Sequence, residues 1–455
     1  MARKGRRRLK PPSPELSDGS VRYPFVAIVG RPNVGKSTLF NRLVESREAI
    51  TDPTAGTTRD RHYGQCEWNG VLFSVIDTGG YISGSDDVFE AEIRKQVELA
   101  IEEADSILFL VDAKGGLTGM DQAIAGLLRR AGKPVLLAAN KVDEPNQEYT
   151  TAEFYGLGLG EVHAIAATSG AGTGDLLDAL LKTFTKPSEE EGPEVPRIAI
   201  VGRPNVGKSS LVNALMGRAQ SIVTPVAGTT RDPINTRWNV FGHDVLLLDT
   251  AGIRRKSKVD EDIEFYSVLR SVRAIEDSDV CLLMIDAQDG IQQQDLHIMS
   301  IIQRNGKGVV VLVNKWDLIE KETNTMKEFE AAVKQRLEPF TDVPVLFISV
   351  LEKQRLLKSM ELAMQVHEDR KRRIPTRKLN DVLLPIIERQ PPPMYKAKQV
   401  HIKFINQLPT HIPTFVFYCN LPQYIKPSYE RFLENRLREH WRFTGVPIRL
   451  YFRKK

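Results

Sequence analysis

Short runs of branched apolar residues recur along this chain, most of them closed by a glycine or an acidic residue, and stretches with helical period alternate with them. Phe25-Val26-Ala27-Ile28-Val29 and Ile198-Ala199-Ile200-Val201 read as buried strands. Leu39-Phe40-Asn41-Arg42-Leu43 and Leu211-Val212-Asn213-Ala214-Leu215 read as opening turns of helices. Further strands are expected from Val71 to Ile76, from Val245 to Leu248 and from Val345 to Ile348, the last followed by a helix from Lys353 onward. Beyond Ile374 the pattern changes. It predicts helix (Thr376 to Glu388), strand (Gln399 to Asn406), strand (Thr414 to Asn420), helix (Pro427 to His440) and strand (Ile448 to Arg453), the order of a compact α+β module.

The segments between the paired strands and helices carry chemistry. Gly30-Arg31-Pro32-Asn33-Val34-Gly35-Lys36-Ser37 and Gly202-Arg203-Pro204-Asn205-Val206-Gly207-Lys208-Ser209 both fit G-x-x-x-x-G-K-[ST]. In that pattern backbone N–H groups turn toward phosphates, lysine supplies a point charge and the hydroxyl holds Mg²⁺. The repeat continues downstream. Gly56-Thr57-Thr58-Arg59-Asp60 recurs as Gly228-Thr229-Thr230-Arg231-Asp232, and Asp77-Thr78-Gly79-Gly80 as Asp249-Thr250-Ala251-Gly252, both at the loop offset of 172 (202 − 30). Asn140-Lys141-Val142-Asp143 recurs as Asn314-Lys315-Trp316-Asp317 at 174 (314 − 140), a drift of two residues.

Each element has a chemical reason. Asp77 and Asp249 end apolar strands, at the sheet edge where a carboxylate can hold Mg²⁺ through water. Gly80 and Gly252 can offer a bare N–H to a γ-phosphate. The carboxylates of Asp143 and Asp317 match the N1–H and exocyclic amine of guanine, a donor pair that adenine lacks, so the motif argues for GTP.

At these residues the chain resembles the EngA (Der) tandem GTPases of bacteria, over essentially everything from Tyr23 to Lys455. The resemblance implies an α/β fold class, two tandem P-loop GTPase domains followed by a small α+β KH-like domain. It also implies GTP hydrolysis with GTP/GDP and Mg²⁺ as ligands. Implied partners are the large (50S) ribosomal subunit and its rRNA, which the chain would help to assemble as a monomer in the cytoplasm. Lys36, Thr58, Gly80, Lys208, Thr230 and Gly252 are then the catalytic set, and Ser37, Thr58, Asp77, Ser209, Thr230 and Asp249 the Mg²⁺ set. Thr57 and Thr229 are the alternative switch ligands. Where Ras-type GTPases place a water-orienting Gln, this chain has Tyr81 and Ile253. Relatives with a hydrophobic residue there use a P-loop Asn to help bind potassium, which points to Asn33 and Asn205 and to potassium-stimulated turnover. Behind the base, Ala166-Ala167 and Ser349-Val350 keep a backbone N–H for the guanine oxygen, but the first copy lacks the serine hydroxyl.

Composition completes the division. The chain reads as a basic tail (1–21), a first GTPase domain (22–185), an acidic Pro-rich linker (186–196), a second GTPase domain (197–370) and the KH-like domain (371–455). No apolar run approaches the roughly 20 residues of a membrane span. The net charge of +5 is uneven: from Ile374 to Lys455 there are 15 Lys+Arg and 5 Asp+Glu, a balance of 15 − 5 = +10. Tyr395, Tyr424 and Trp441 stand near basic residues, offering stacking beside charge. The G-x-x-G clamp of ordinary KH domains is missing, since Gly445 is the single glycine after Ile374. Cys281 and Cys419 sit in apolar runs and are expected as buried thiols. Two other classes fit less of the chain. A ribosome scaffold holding nucleotide with little turnover would not need every phosphate and Mg²⁺ position in both copies, and an RNA-modifying enzyme would need a motif that is absent.

Overall fold

The computed structural model describes residues 23–51, 63–78, 94, 97–143, 145–184, 195–217, 236–240, 243–248, 264–320, 322–394 and 398–454. The chain forms two compact units. One comprises Arg22–Ser188 with Asp262–Arg273, and the other includes Glu189–Glu261 and Ala274–Lys455.

In the first unit, β1 (Phe25–Val29), β2 (Tyr63–Trp68), β3 (Val71–Asp77), β4 (Ser106–Asp112), β5 (Val135–Asn140) and β6 (Val162–Ala164) form one sheet in the order β2-β3-β1-β4-β5-β6. β1, β3, β4, β5 and β6 run parallel; β2 pairs antiparallel with β3 through the two-residue Asn69-Gly70 turn, a sequence that favours hairpins. α1 (Lys36–Thr51), α2 (Gly119–Arg130) and α3 (Thr173–Thr183) are helices of this repeat, and residues 97–103 are helical as well. Parallel strands must be covered on both faces, which is why β1 throughout and β4 from Ile107 to Val111 are apolar and buried. Asp77, Asp112 and Asn140 end β3, β4 and β5, so three polar side chains meet at the carboxyl edge of the sheet.

The second repeat rebuilds this sheet from β7 (Arg197–Gly202), β8 (Thr236–Val240), β9 (His243–Leu248), β10 (Val280–Asp286), β11 (Gly308–Asn314) and β12 (Val345–Phe347), in the order β12-β11-β10-β7-β9-β8. Its helices are α4 (Lys208–Met216), α5 (Glu264–Asp277), α6 (Gln293–Arg304), α7 (Thr325–Arg336) and α8 (Leu356–Lys371). The helix expected from Lys353 starts at Leu356, because Lys353 and Arg355 take left-handed backbone (φ 56° and 57°) that a right-handed helix cannot include.

The C-terminal segment forms α9 (Thr376–Arg389), β13 (Ile402–Leu408), β14 (Thr414–Cys419), α10 (Pro427–His440) and β15 (Arg449–Lys454), with β14 antiparallel to β13 and parallel to β15. β13 begins later than the expected Gln399. There the Asn420 side chain, accepting from His401 N–H and donating to the Gln399 carbonyl, adds to a single backbone bond from Asn420 N–H to the His401 carbonyl.

This module shares one apolar core with the second repeat, running from Ile198 and Val310 through Val366 to Leu379, Phe415 and Phe443. Backbone also joins them: Val309 N–H donates to the Gly445 carbonyl (2.8 Å) and Gly445 N–H to the Asp342 carbonyl (2.7 Å). Gly445 has φ +74°, and a Cβ there would lie 2.5 Å from the Val309 carbonyl oxygen, so this crossing needs glycine. Cys66, Cys281 and Cys419 are all buried thiols, and burial pushes the Cys281 thiol up to about 11. Among the described residues no helix is long and apolar enough to cross a membrane.

Candidate nucleotide sites

The two phosphate loops fold alike because both lie between a buried strand and a helix that starts at the motif lysine. Lys36 Nζ donates to the carbonyls of Gly30 and Arg31, each at 2.8 Å, and Lys208 Nζ to those of Gly202 (2.7 Å) and Arg203 (2.5 Å). Burial pushes the Lys36 ammonium from its ordinary 10.5 down to about 8; the nearby Asp77 charge opposes this and Arg31 adds to it. Ser37 Oγ donates to Asp77 Oδ2 at 2.5 Å, across 40 residues of sequence. Asp77 itself is fully buried. A hydroxyl beside a carboxylate is the oxygen donor set that suits a hard cation, so these residues fit Mg²⁺. Among the described residues no cluster of three or more His, Cys, Asp or Glu offers another metal site. Asn33 and Asn205 both adopt φ 63° and are exposed.

On the base side one asparagine ties three segments together. Asn140 Nδ2 donates to the Val34 carbonyl (2.8 Å), and its Oδ1 accepts from Ala167 N–H (2.9 Å). Asn314 repeats this with the Val206 carbonyl (2.8 Å) and Val350 N–H (3.1 Å). Both N–H groups belong to the pairs Ala166-Ala167 and Ser349-Val350 expected behind the base, and here each is bonded to the motif asparagine. A Cβ at Gly35 would lie 2.3 Å from Asn140 Nδ2, and at Gly207 2.4 Å from Asn314 Nδ2, so the second motif glycine makes room for the asparagine as well as for phosphate. Lys141 Nζ reaches the Asn33 carbonyl (2.9 Å) and Asp112 Oδ2 (2.5 Å), and Lys315 pairs with Asp286 (2.6 Å). Val142 N–H donates to the Ile165 carbonyl (3.0 Å) and Trp316 N–H to that of Ile348 (3.2 Å), each fastening the motif to the loop behind it. In the first copy a cavity of about 230 Å³ opens between Gly35, Thr38, Asn140, Asp143, Ala167 and Thr168.

The copies stabilise that rear loop differently. Ser349 Oγ accepts from Glu352 N–H (3.1 Å) in the second. The first has Ala166 there, and the Arg42 guanidinium of α1 instead donates to the carbonyls of Ala167 and Thr168.

Sequence reasoning missed two carboxylates per copy. Arg31 Nε donates to the fully buried Asp121 (3.2 Å) and Arg203 Nε to Asp295 (3.0 Å), while the same carboxylates accept the N-terminal N–H groups of α2 and α6 from Thr118 and Gln292. Asp112 and Asp286 hold the motif lysines. The signal was present, since Asp112/Asp286 and Asp121/Asp295 recur at the offset of 174 (286 − 112, 295 − 121) already set by Asn-Lys-x-Asp. Thr58, Gly79, Gly80, Tyr81, Thr230, Asp249, Thr250, Ala251, Gly252 and Ile253 lie outside the described residues, as do the basic tail and most of the linker.

In the C-terminal module Arg377, Lys378, Lys398, Lys403, Lys426 and Arg431 are exposed. Other cations are used internally: Arg438 binds Asp342 (3.0 Å) and Glu434 (2.8 Å), and Arg449 donates to the Arg304 carbonyl (2.9 Å). Two expected stacking aromatics are also internal. Trp441 lies in the shared core and Tyr424 packs against it, while Tyr395 is outside the described residues.

Comparison with known proteins agrees with this geometry. A family model described as 50S ribosome-binding GTPase matches residues 25–141 and 197–315, and one described as the C-terminal KH-domain-like region of EngA bacterial GTPase enzymes matches 373–453. A model of the elongation factor Tu GTP-binding domain matches 266–388. The chain is 62% identical over 431 residues to GTPase Der of Christiangramia forsetii, covering 95% of this chain and 99% of the relative. It is 60% identical to GTPase Der of Flavobacterium johnsoniae and 57% identical to that of Bacteroides thetaiotaomicron, each covering 95% of this chain and 99% of the relative. GTP/GDP and Mg²⁺ are thus its ligands and GTP hydrolysis its reaction: the chain belongs to the Der (EngA) family, two tandem GTPase domains followed by a KH-like domain.

Proposed function

We propose that this chain is a GTP-hydrolysing switch acting in assembly of the large (50S) ribosomal subunit, as a cytoplasmic monomer that docks on rRNA through its C-terminal module. The observation that carries the reading is the joint between nucleotide strand and basic module. β11, which ends in the guanine motif at Asn314, is hydrogen-bonded at Val309 to Gly445, so a shift in one can be felt by the other. The matching family model is described as ribosome-binding, and the exposed cations supply a phosphate-seeking surface.

Within each site we assign Lys36 and Lys208 to neutralising transferred phosphate charge. Thr58, Thr230, Gly80 and Gly252 take the γ-phosphate contacts, and Asp143 and Asp317 the guanine edge. Mg²⁺, held by Ser37, Asp77, Thr58 and by Ser209, Asp249, Thr230, would neutralise phosphate oxygens. Potassium, seated with help from Asn33 and Asn205, would supply the charge that an arginine finger gives elsewhere. Phosphate release tests the whole reading. It should rise when potassium replaces sodium at constant ionic strength, and rise again with large ribosomal subunits; a rate indifferent to both would contradict it.

A further inference from the structure

The guanine carboxylate of the first copy already has a partner. Lys114 Nζ lies 2.6 Å from Asp143 Oδ2, with Lys114 56% and Asp143 50% exposed, and both line the cavity beside Gly35 and Ala167. The lysine is aimed there by its backbone. Lys114 N–H donates to Asp112 Oδ1 (3.0 Å), and Gly115 N–H to the same oxygen (3.1 Å), which fixes the turn after β4 so that the side chain reaches across to the loop after β5.

The second copy keeps the turn and changes the side chain. Gln288 N–H donates to Asp286 Oδ1 at 3.0 Å, which puts Gln288 where Lys114 stands, at the same 174 offset (288 − 114) that relates Asp317 to Asp143. Among the described residues Asp317 has no ion pair.

We propose that Lys114 is an intramolecular competitor for guanine in the first GTPase domain, holding the carboxylate oxygen that the base must take, and that Gln288 leaves the second domain without one. The inference rests on reading Asp143 as the guanine acceptor. Guanine presents two donors to this carboxylate, the N1–H and the exocyclic amine, one for each oxygen. The ammonium on Oδ2 takes a lone pair of one of those oxygens and stands at the cavity the base must fill, so it competes with the base for that place. An ion pair this exposed contributes little, so its removal should tighten nucleotide by about two- to fivefold at low salt. Added salt screens the pair and should erase the difference. The consequence is a salt-dependent handicap: at low ionic strength the pair lowers guanine affinity in the first domain and has no counterpart in the second.

The test uses the full chain carrying Asp317→Asn, so that guanine nucleotide titrates only the first site, with GDP binding followed by calorimetry at low and high salt. Lys114→Gln should tighten GDP about two- to fivefold at low salt and leave it unchanged at high salt. In a chain that carries Asp143→Asn with Asp317 intact, so that xanthosine diphosphate titrates only the first site, the same substitution should do nothing. Weaker GDP binding by Lys114→Gln would mean that the lysine contacts nucleotide, and would overturn the proposal. So would an unchanged affinity at low salt, or a gain that survives high salt or Asp143→Asn. Should Asp143→Asn itself leave GDP binding intact, the guanine assignment fails; should it act as expected while Lys114→Gln does not, only the competition fails.

Discussion

Replacing Asn140 with alanine should loosen the first nucleotide site even with no nucleotide present. The side chain fills two roles at once, donating to Val34 in the phosphate loop and accepting from Ala167 in the loop behind the base. Truncation leaves a buried carbonyl and a buried N–H without partners, at about 1–3 kcal/mol each, so the local cost is about 2–6 kcal/mol. Water entering from the open side of the cavity would hold the value toward the lower end. Amide hydrogen exchange by mass spectrometry on the full chain reads this directly, because local opening free energies set the exchange rate. Peptides covering Val34–Gly35 and Ala167–Gly170 should exchange at least about thirtyfold faster in Asn140→Ala, the factor that corresponds to about 2 kcal/mol. Peptides from the second repeat should be unchanged. Asp143→Asn serves as the control, since it alters guanine recognition without touching these bonds. If Asn140→Ala abolished GTP binding while exchange at both loops stayed within twofold of the parent, the asparagine would act on the ligand and the wiring described here would be wrong.

Asp317→Asn should weaken GTP in the second site and improve xanthosine triphosphate, whose extra carbonyl accepts from the new amide; unchanged GTP affinity would remove the assignment. Lys36 gives a pH signature: its amine sits at about 8 and should return toward its ordinary value against polyphosphate, so binding must take up a proton above pH 8. GTP affinity in the first site should then be flat below pH 8 and fall by up to about tenfold per unit above it, with proton uptake visible as buffer-dependent calorimetric heat. The sign for folding is opposite, because the unfolded lysine holds its proton up to 10.5, and stability should rise between about 8 and 10.5. Gly445→Ala meets the Val309 carbonyl and a left-handed backbone, and should destabilise the second unit by at least about 1–2 kcal/mol, seen as a lower unfolding midpoint.

Most of the scaffold was legible because the chain states it twice. Two loop motifs at one offset mark β1, β7 and the helices after them, and apolar runs ending in Asp mark β3 and β9. Local conformation was harder. The start of α8 depends on left-handed backbone at Lys353 and Arg355, residues whose side chains give no hint of it. The aromatics beside basic residues were ambiguous for a different reason, since Trp441 satisfies a core and a stacking surface equally well until the partner helices are known. Least visible was the continuity between the second GTPase domain and the C-terminal module. A change of charge at Ile374 suggested a separate body, whereas contact through Gly445 depends on residues 136 positions apart (445 − 309).

That continuity decides how the central claim should be tested, because removing the C-terminal segment would strip Phe415, Phe443 and Val446 from the core of the second unit. Neutralising exposed cations is cleaner. The measurement is binding of the full chain to large ribosomal subunits across a salt series, with a non-hydrolysable GTP analogue or GDP, and with Lys398, Lys403, Lys426 and Arg431 replaced together by glutamine. Binding should be tighter with the GTP analogue, and weaker and less salt-dependent in the substituted chain, the slope of log affinity against log salt falling by about 0.7–0.9 per lost phosphate contact. Equal binding with both nucleotides, together with an unchanged salt slope in the substituted chain, would contradict that claim.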